Sequence, residues 1–364
     1  MNSEIQVPSS KFQVPSSKQK HLNRLKIVGG LLTLLGIGVF AYLVHSVGMH
    51  DIFAGVAKIG FGGFLIIQLN YFLRIMCRST AWRLSVSAPY KLDLRDTLPA
   101  VIIGEALSSL IPLGVLVSGT AKAVAVRNRV SLVVGLSSVT MENLFYALMT
   151  GIFVCISAMA FLLNFELAEV IVLTIYFLIG VVVFLTIFGF LAVIRQWHFL
   201  SKSCEFLYEI GIGKRFLENI RKQVRLFEDL IFGFYRNHSR RFAPIVLCQT
   251  AYHLLGIAEA WFILSRISEV IPSLYTAFLL ESISRIIIII FKFVPFAIGV
   301  DEAGAQFVTE TLAIGAGIGV TFAIIRKGRS LFWTAIGLLL IIKREVSLKE
   351  MTEFSDNAVK TNAH

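Results

Sequence analysis

Two adjacent carboxylates stand in the last long apolar region of the chain, within the stretch KFVPFAIGVDEAGAQFV. Asp301 and Glu302 follow five consecutive isoleucines, and Pro295 and Gly299 precede them closely. Proline and glycine at this spacing interrupt a helix. A carboxylate in hydrocarbon costs ~3 kcal/mol or more unless it is paired or hydrated. The pattern therefore predicts a backbone break that holds acidic groups in a polar site.

Other ionisable residues lie in apolar segments or near a second break, which is predicted at Pro112 and Gly114. They are Arg74, Arg78, Glu105, Lys122, Glu281 and Arg285. Basic side chains at such positions can bind a phosphate, and carboxylates can bind a cationic group or a proton. Two alternatives stay open: Arg74 and Arg78 could extend to the membrane surface, and the Glu281–Arg285 pair could join helices.

Two polar pairs favour a structural role. Glu142 with Asn143, and His253 with Glu259, lie in apolar segments where they can form hydrogen bonds between helices.

Motifs that define common enzymes and metal sites are absent. The sequence has no HExxH, GxSxG, phosphate-binding glycine loop or Asp-rich cluster, and its four cysteines show no paired spacing. Asp301 and Glu302 alone form a weak acid–base pair, because neighbours on a helix diverge by about 100°. We therefore expect no catalytic residue, metal or cofactor.

Composition indicates an all-α polytopic membrane protein. Of 364 residues, 56% are hydrophobic and only 16% are charged, and the mean hydropathy is +0.77. Apolar runs of about 20 residues, long enough to cross a bilayer, recur along the chain. The formal net charge of +11 is typical of basic cytoplasmic loops, and no basic stripe with interleaved aromatics suggests nucleic-acid binding.

The pattern divides the chain into two tails and a membrane domain. Residues 1–24, with a repeated QVPSSK, are expected to form a disordered basic tail, and residues 345–364 a polar tail. Residues 25–344 form the membrane domain, with halves at 25–194 and 243–344. We expect a multi-pass protein of a bacterial-type plasma (inner) membrane with a cytoplasmic N-terminus.

About seven spans and two broken segments are predicted. The spans cover residues 27–47, 61–78, 133–163, 171–194, 244–264, 305–325 and 331–342. Basic residues flank the broken segment 98–117 on both sides, which predicts a re-entrant hairpin. The sequence RKGR after residue 325 is interpreted as a cytoplasmic loop.

Residues 195–242 are predicted to form a basic amphipathic loop in the cytoplasm. Apolar residues from Phe216 to Phe234 recur there at helical spacing, with basic residues on other faces. A helix lying on the inner leaflet is favoured over a helix that binds a partner protein.

The two broken segments have similar patterns. In each, a proline and a glycine-containing apolar run precede a helix rich in small residues, and by the predicted topology the two enter the membrane from opposite sides. This arrangement is typical of an inverted repeat, whose broken elements meet at a cavity near the midplane.

The stretches GEALSSLIPLG and VPFAIGVDEAG resemble paired signatures of the flippase-like membrane-domain family, which includes the membrane half of lysylphosphatidylglycerol synthase and hopanoid-biosynthesis-associated proteins. The resemblance implies movement of lipids or lipid-linked molecules between leaflets. Glu105 and Glu302 match the motifs, whereas Asp301 stands where the family often has Arg or Gln. Only a short tail follows Arg344, so lysyl transfer is not expected.

The leading hypothesis is a translocator whose partners are lipids with anionic or zwitterionic headgroups. We predict that Glu302 carries function and that Asp301 mainly starts a helix. A scaffold for envelope-synthesis enzymes is the alternative, and an intramembrane enzyme is less favoured.

Overall fold

The computed structural model describes residues 38, 41–42, 45, 48–111, 114–164, 169–210, 214–269, 272–291 and 294–343. Within these residues the regular structure is helical. The helices are α1 (Met49–Leu84), α2 (Leu94–Leu110), α3 (Gly114–Ala125), α4 (Leu132–Asn164), α5 (Glu169–Ile194), α6 (Phe199–Glu209), α7 (Lys214–Asn237), α8 (Phe242–Ile267), α9 (Leu274–Ile290), α10 (Val300–Thr311) and α11 (Ala316–Lys343). Short 3₁₀ helices cover Ser239–Arg241 and Pro295–Ala297.

Four of the described helices are long and apolar enough to cross a membrane. These segments are Ile52–Leu84, Leu132–Asn164, Val172–Ile194 and Ser239–Ile267. They confirm a multi-pass helical membrane protein. Seven spans are not confirmed, and the span predicted at residues 27–47 lies almost entirely outside the described residues, as do both predicted tails.

The predicted end of a span at RKGR is wrong. α11 runs without interruption from Ala316 to Lys343, so this basic stretch lies in the middle of one helix rather than in a loop. Arg326 and Arg329 are buried there. A helix can hold these charges in the interior because carboxylates of neighbouring helices pair with them.

Both predicted breaks separate helices in the structure. α2 ends at Leu110 and packs against α3, which begins at Gly114; Pro112 lies outside the described residues. The second break follows α9, contains the 3₁₀ helix that begins at Pro295, and ends where α10 begins at Val300. Gly299 has a φ of 79° there, a conformation that glycine adopts without strain.

Helix packing surrounds the polar residues with apolar ones. α1 packs along α8, α2 packs against α11, and α10 packs against both α9 and α11. One core cluster joins Ile67 of α1, Ile263 of α8, Leu280 of α9, Val308 of α10 and Phe322 of α11. The broken segments are thereby fixed against the longer helices.

The basic loop at 195–242 contains two helices, α6 and α7. The apolar side of α7 does not lie on a leaflet in its described part, because Ile231, Phe232 and Phe234 pack with Ala81 of α1 and Phe145 of α4. The helix is amphipathic, as predicted, but its apolar face contacts protein. No inverted repeat is established by these contacts.

Candidate functional site

A buried ionic network lies where α1, α8, α9 and α11 meet. Glu281 of α9 is its centre, since its carboxylate lies 2.5 Å from Arg285, 3.0 Å from Arg326 and 3.4 Å from Arg74. Glu281 and Arg74 are each only 2% exposed. Isolated charges at this depth would be very unfavourable, so mutual pairing is what permits their burial.

Glu259 of α8 extends this network. Its carboxylate lies 3.2 Å from Arg74 and 3.9 Å from Arg326, and it also accepts a hydrogen bond from Arg329. His253, which the sequence grouped with Glu259, instead contacts the Thr150 hydroxyl on α4 at 3.2 Å. His253 therefore links two helices, as predicted, whereas Glu259 belongs to the ionic network.

A second group of charges is centred on the fully buried Glu142 of α4. Arg78 donates to its carboxylate at 3.0 and 3.1 Å, Lys122 at 3.3 Å and Gln249 at 3.3 Å. Arg78 also lies 3.7 Å from Glu105. Arg78 and Lys122 thus lie inside the helix bundle, and the alternative that Arg74 and Arg78 extend to the membrane surface does not fit these contacts.

Aromatic rings cover the faces of the guanidinium groups. Tyr252 lies 4.5 Å from Arg74 and 5.1 Å from Arg285, and Tyr71 lies 4.2 Å from Arg329. A ring beneath a desolvated guanidinium stabilises its charge. The Tyr71 hydroxyl also donates to Glu105 at 2.8 Å, which joins the aromatic residues to the second group of charges.

Glu302 occupies the start of α10. Its Oε2 accepts the Gly299 amide at 2.8 Å, and its Oε1 lies 2.5 Å from Nζ of Lys327. A carboxylate at the third residue of a helix is well placed to bind such an unpaired amide and to face the positive end of the helix dipole. The structure therefore gives the helix-start contact to Glu302 rather than to Asp301.

A cavity of about 170 Å³ lies between the two broken segments. Its polar walls are Ser108, Ser109, Asp301, Arg326, Lys327, Arg329 and Ser330. Two of these serines come from the end of α2, Asp301 from the start of α10, and the basic residues from α11. A smaller void beside it, lined by Glu105, shares Ser109 and Ser330 with the cavity. The described parts of both broken segments therefore meet at one polar space.

The charges around this space do not balance. Counted over the described residues, seven basic and six acidic side chains form the two groups and the cavity wall. They are Arg74, Arg78, Lys122, Arg285, Arg326, Lys327 and Arg329, against Glu105, Glu142, Glu259, Glu281, Asp301 and Glu302. In addition, the Nη1 atom of Arg326 is buried and has no hydrogen-bond partner among the described residues.

Five members of this set are not among the site residues that the sequence predicts. The sequence predicts a loop at Arg326, Lys327 and Arg329, and it predicts hydrogen bonds between helices for Glu142 and Glu259. The spacing of Arg326 and Arg329, three residues apart in an apolar context, is compatible with one face of a helix. That spacing was the available signal, but a loop rich in basic residues gives the same pattern.

These features define a class: a helical membrane protein with paired charges in its interior and a polar cavity at two helix breaks. The chain belongs to the family described as the lysylphosphatidylglycerol synthase TM region, whose sequence profile matches residues 27–337. The resemblance seen in the sequence is thereby confirmed. This family indicates a membrane protein of lipid metabolism or transport. No curated protein and no solved structure matches the chain.

Proposed function

We propose that this protein moves a lipid with an anionic headgroup between the two leaflets, with the headgroup entering the cavity between the broken segments. The observation that carries the proposal is the cavity wall, where Arg326, Lys327 and Arg329 of α11 face the start of α10. Acyl chains would stay in the bilayer, because the cavity volume of about 170 Å³ suits a headgroup rather than a whole lipid.

The excess of one positive charge favours a monoanionic ligand. A buried cluster with unbalanced charge is unfavourable, and a bound phosphodiester would neutralise it. The buried Nη1 of Arg326 supplies a donor that no described residue uses. Guanidinium groups bind phosphate oxygens with good geometry, and the hydroxyls of Ser108 and Ser109 can add neutral hydrogen bonds.

Asp301 adds an acidic group to the cavity, whose other polar residues are basic or carry hydroxyl groups. It is 8% exposed and lines the same cavity as Arg326, from the start of α10. An acidic group beside a phosphate site can bind an amine carried by the same headgroup. When the headgroup has no amine, the same acidic group repels the phosphate and keeps its binding weak enough for release. We therefore propose phosphodiester lipids, anionic or zwitterionic, as the substrate class.

Leaflet exchange in vesicles tests this function. The purified protein would be reconstituted with a fluorescent phosphatidylglycerol, and dithionite would report the fraction of probe in the outer leaflet over time. We expect the wild type to accelerate exchange and the monodisperse, folded fraction of Arg326→Gln to be slower at least severalfold. Arg266→Gln is the matched control, because Arg266 is exposed and contacts only the Phe262 ring in the described contacts.

Two results would refute the proposal. One is wild-type protein that accelerates the exchange of no phosphodiester lipid tested. The other is full exchange by a well-folded Arg326→Gln variant, which would exclude the cavity as the site.

A further inference from the structure

Helix α6 presents an apolar face that no described residue covers. Phe199 is 74% exposed, Phe206 62% and Ile210 55%. These residues are seven and eleven positions apart, so they lie on one side of the helix axis. Leu200 and Leu207 widen that side. An exposed apolar surface of this kind is typical of a site that contacts a membrane or another protein.

The opposite side of α6 is attached to α7 by one carboxylate. Glu228 of α7 is 4% exposed and accepts the Leu200 amide at 2.8 Å and the Ser201 amide at 3.3 Å. It also accepts from the Ser201 hydroxyl and lies 3.3 Å from His198. These contacts cap the start of α6 and fix the orientation of the helix about its own axis. The apolar face is therefore turned away from the protein.

α6 begins at Phe199, shortly after α5 ends at Ile194. The segment Val172–Ile194 of α5 is strongly apolar, and few of its residues are buried in the protein. Trp197 follows this helix, is 49% exposed and lies 5.8 Å from the Phe188 ring of α5. Tryptophan favours the boundary between hydrocarbon and headgroups. α6 therefore begins at the depth where α5 leaves the bilayer.

The charge of the loop indicates which lipids lie beneath α6. Residues 195–241 contain ten Lys or Arg and five Asp or Glu. Lys202 of α6 is exposed and lies one helical turn from both Phe199 and Phe206. Basic residues beside an exposed apolar face favour a surface of anionic phospholipid.

We infer that α6, and not α7, is the interfacial helix of this loop, and that it lies in an anionic leaflet with Phe199, Phe206 and Ile210 at the acyl-chain boundary. By the positive-inside rule this is the cytoplasmic leaflet. The inference does not depend on the cavity or on lipid transport. In this placement the exposed apolar face of α6 contacts the membrane, and this contact holds the adjoining end of α5 in position.

Fluorescence quenching in vesicles tests this placement. An environment-sensitive fluorescent amino acid would be incorporated at Phe206 or, as the matched control, at Glu205, which is exposed on another side of α6. We expect lipids with a shallow spin label to quench the probe at Phe206 severalfold more than at Glu205. Aqueous iodide should show the reverse preference.

The same measurement in phosphatidylcholine, with and without phosphatidylglycerol, tests the lipid preference. We expect weaker lipid quenching at Phe206 without phosphatidylglycerol. Efficient iodide quenching at Phe206 would overturn the inference, because the face would then lie in water. Protection from both quenchers would also overturn it, since protein would then cover the face. Equal lipid quenching in both vesicles would overturn the anionic preference. A probe at Phe199 gives the same readout if the Phe206 variant does not fold.

Discussion

Glu302 and Lys327 form an ion pair of 2.5 Å between the first turn of α10 and the middle of α11. The same Glu302 carboxylate accepts the amide of Gly299, the last residue of the break. One side chain thus joins the irregular backbone, the start of a new helix and a basic residue of the cavity wall. This carboxylate therefore holds the start of α10 against α11 at a residue that lines the cavity.

We expect Glu302→Gln to destabilise the folded protein. The change removes the charge that pairs with Lys327, and breaking a buried ion pair costs roughly 3 kcal/mol or more. Thermal unfolding in detergent would show a lower midpoint than for wild type. The double variant Glu302→Gln with Lys327→Met should recover part of the loss, because it leaves no unpaired charge. A wild-type midpoint for Glu302→Gln would contradict this structural role.

Asp301→Asn should change substrate preference more than stability. Asp301 lines the cavity beside Arg326, and no described hydrogen bond or ion pair ties it to another residue. We expect exchange of a lipid with an amine headgroup to fall while exchange of phosphatidylglycerol is retained. Parallel exchange assays with the two fluorescent lipids measure this preference. An equal loss for both lipids, or no loss for either, would show that Asp301 does not select headgroups.

Arg74→Gln should impair folding, which does not fit the alternative that Arg74 extends to the membrane surface. Arg74 is 2% exposed and lies within 3.4 Å of the carboxylates of both Glu259 and Glu281. Removing one charge of a buried network costs ~3–5 kcal/mol. The fraction of monodisperse protein after gel filtration, compared with Arg266→Gln, provides the measurement. Equal yields would place Arg74 outside the structural network.

A methyl group at Gly256 should disturb the network without changing any charge. A Cβ atom there would collide with the Glu281 carboxylate and would lie 3.2 Å from Nη2 of Arg74. We expect Gly256→Ala to destabilise by ~1–3 kcal/mol, the usual range for overpacking. Gly180→Ala is the control, because a Cβ at Gly180 meets nothing within 4 Å. The thermal unfolding midpoint of Gly256→Ala should be lower than that of Gly180→Ala. Equal midpoints would contradict the close approach of Gly256 to the Glu281 carboxylate.

The sequence by itself determines the membrane class, the position of the second break and most of the candidate charged residues. The membrane class follows from composition, because so few charges cannot cover so much apolar surface in water. The second break follows from Pro295 and Gly299, whose backbone limits act within a few residues. Glu105, Glu281 and Arg285 are recognisable from the sequence as candidate site residues, because an ionisable residue in an apolar segment is unfavourable without a partner.

Tertiary structure alone decided which charges are paired and where α11 runs. RKGR has the composition of a cytoplasmic loop, yet Arg326 and Arg329 are buried because Glu259 and Glu281, some 45 to 70 residues earlier in the chain, supply opposite charges. The apolar stripe of α7 was visible in sequence, but only packing against α1 and α4 showed that protein, not lipid, covers it. The hydrophobic effect is non-directional. The periodicity of apolar residues therefore predicts that a helix has an apolar face, but it does not determine whether lipid or protein covers that face.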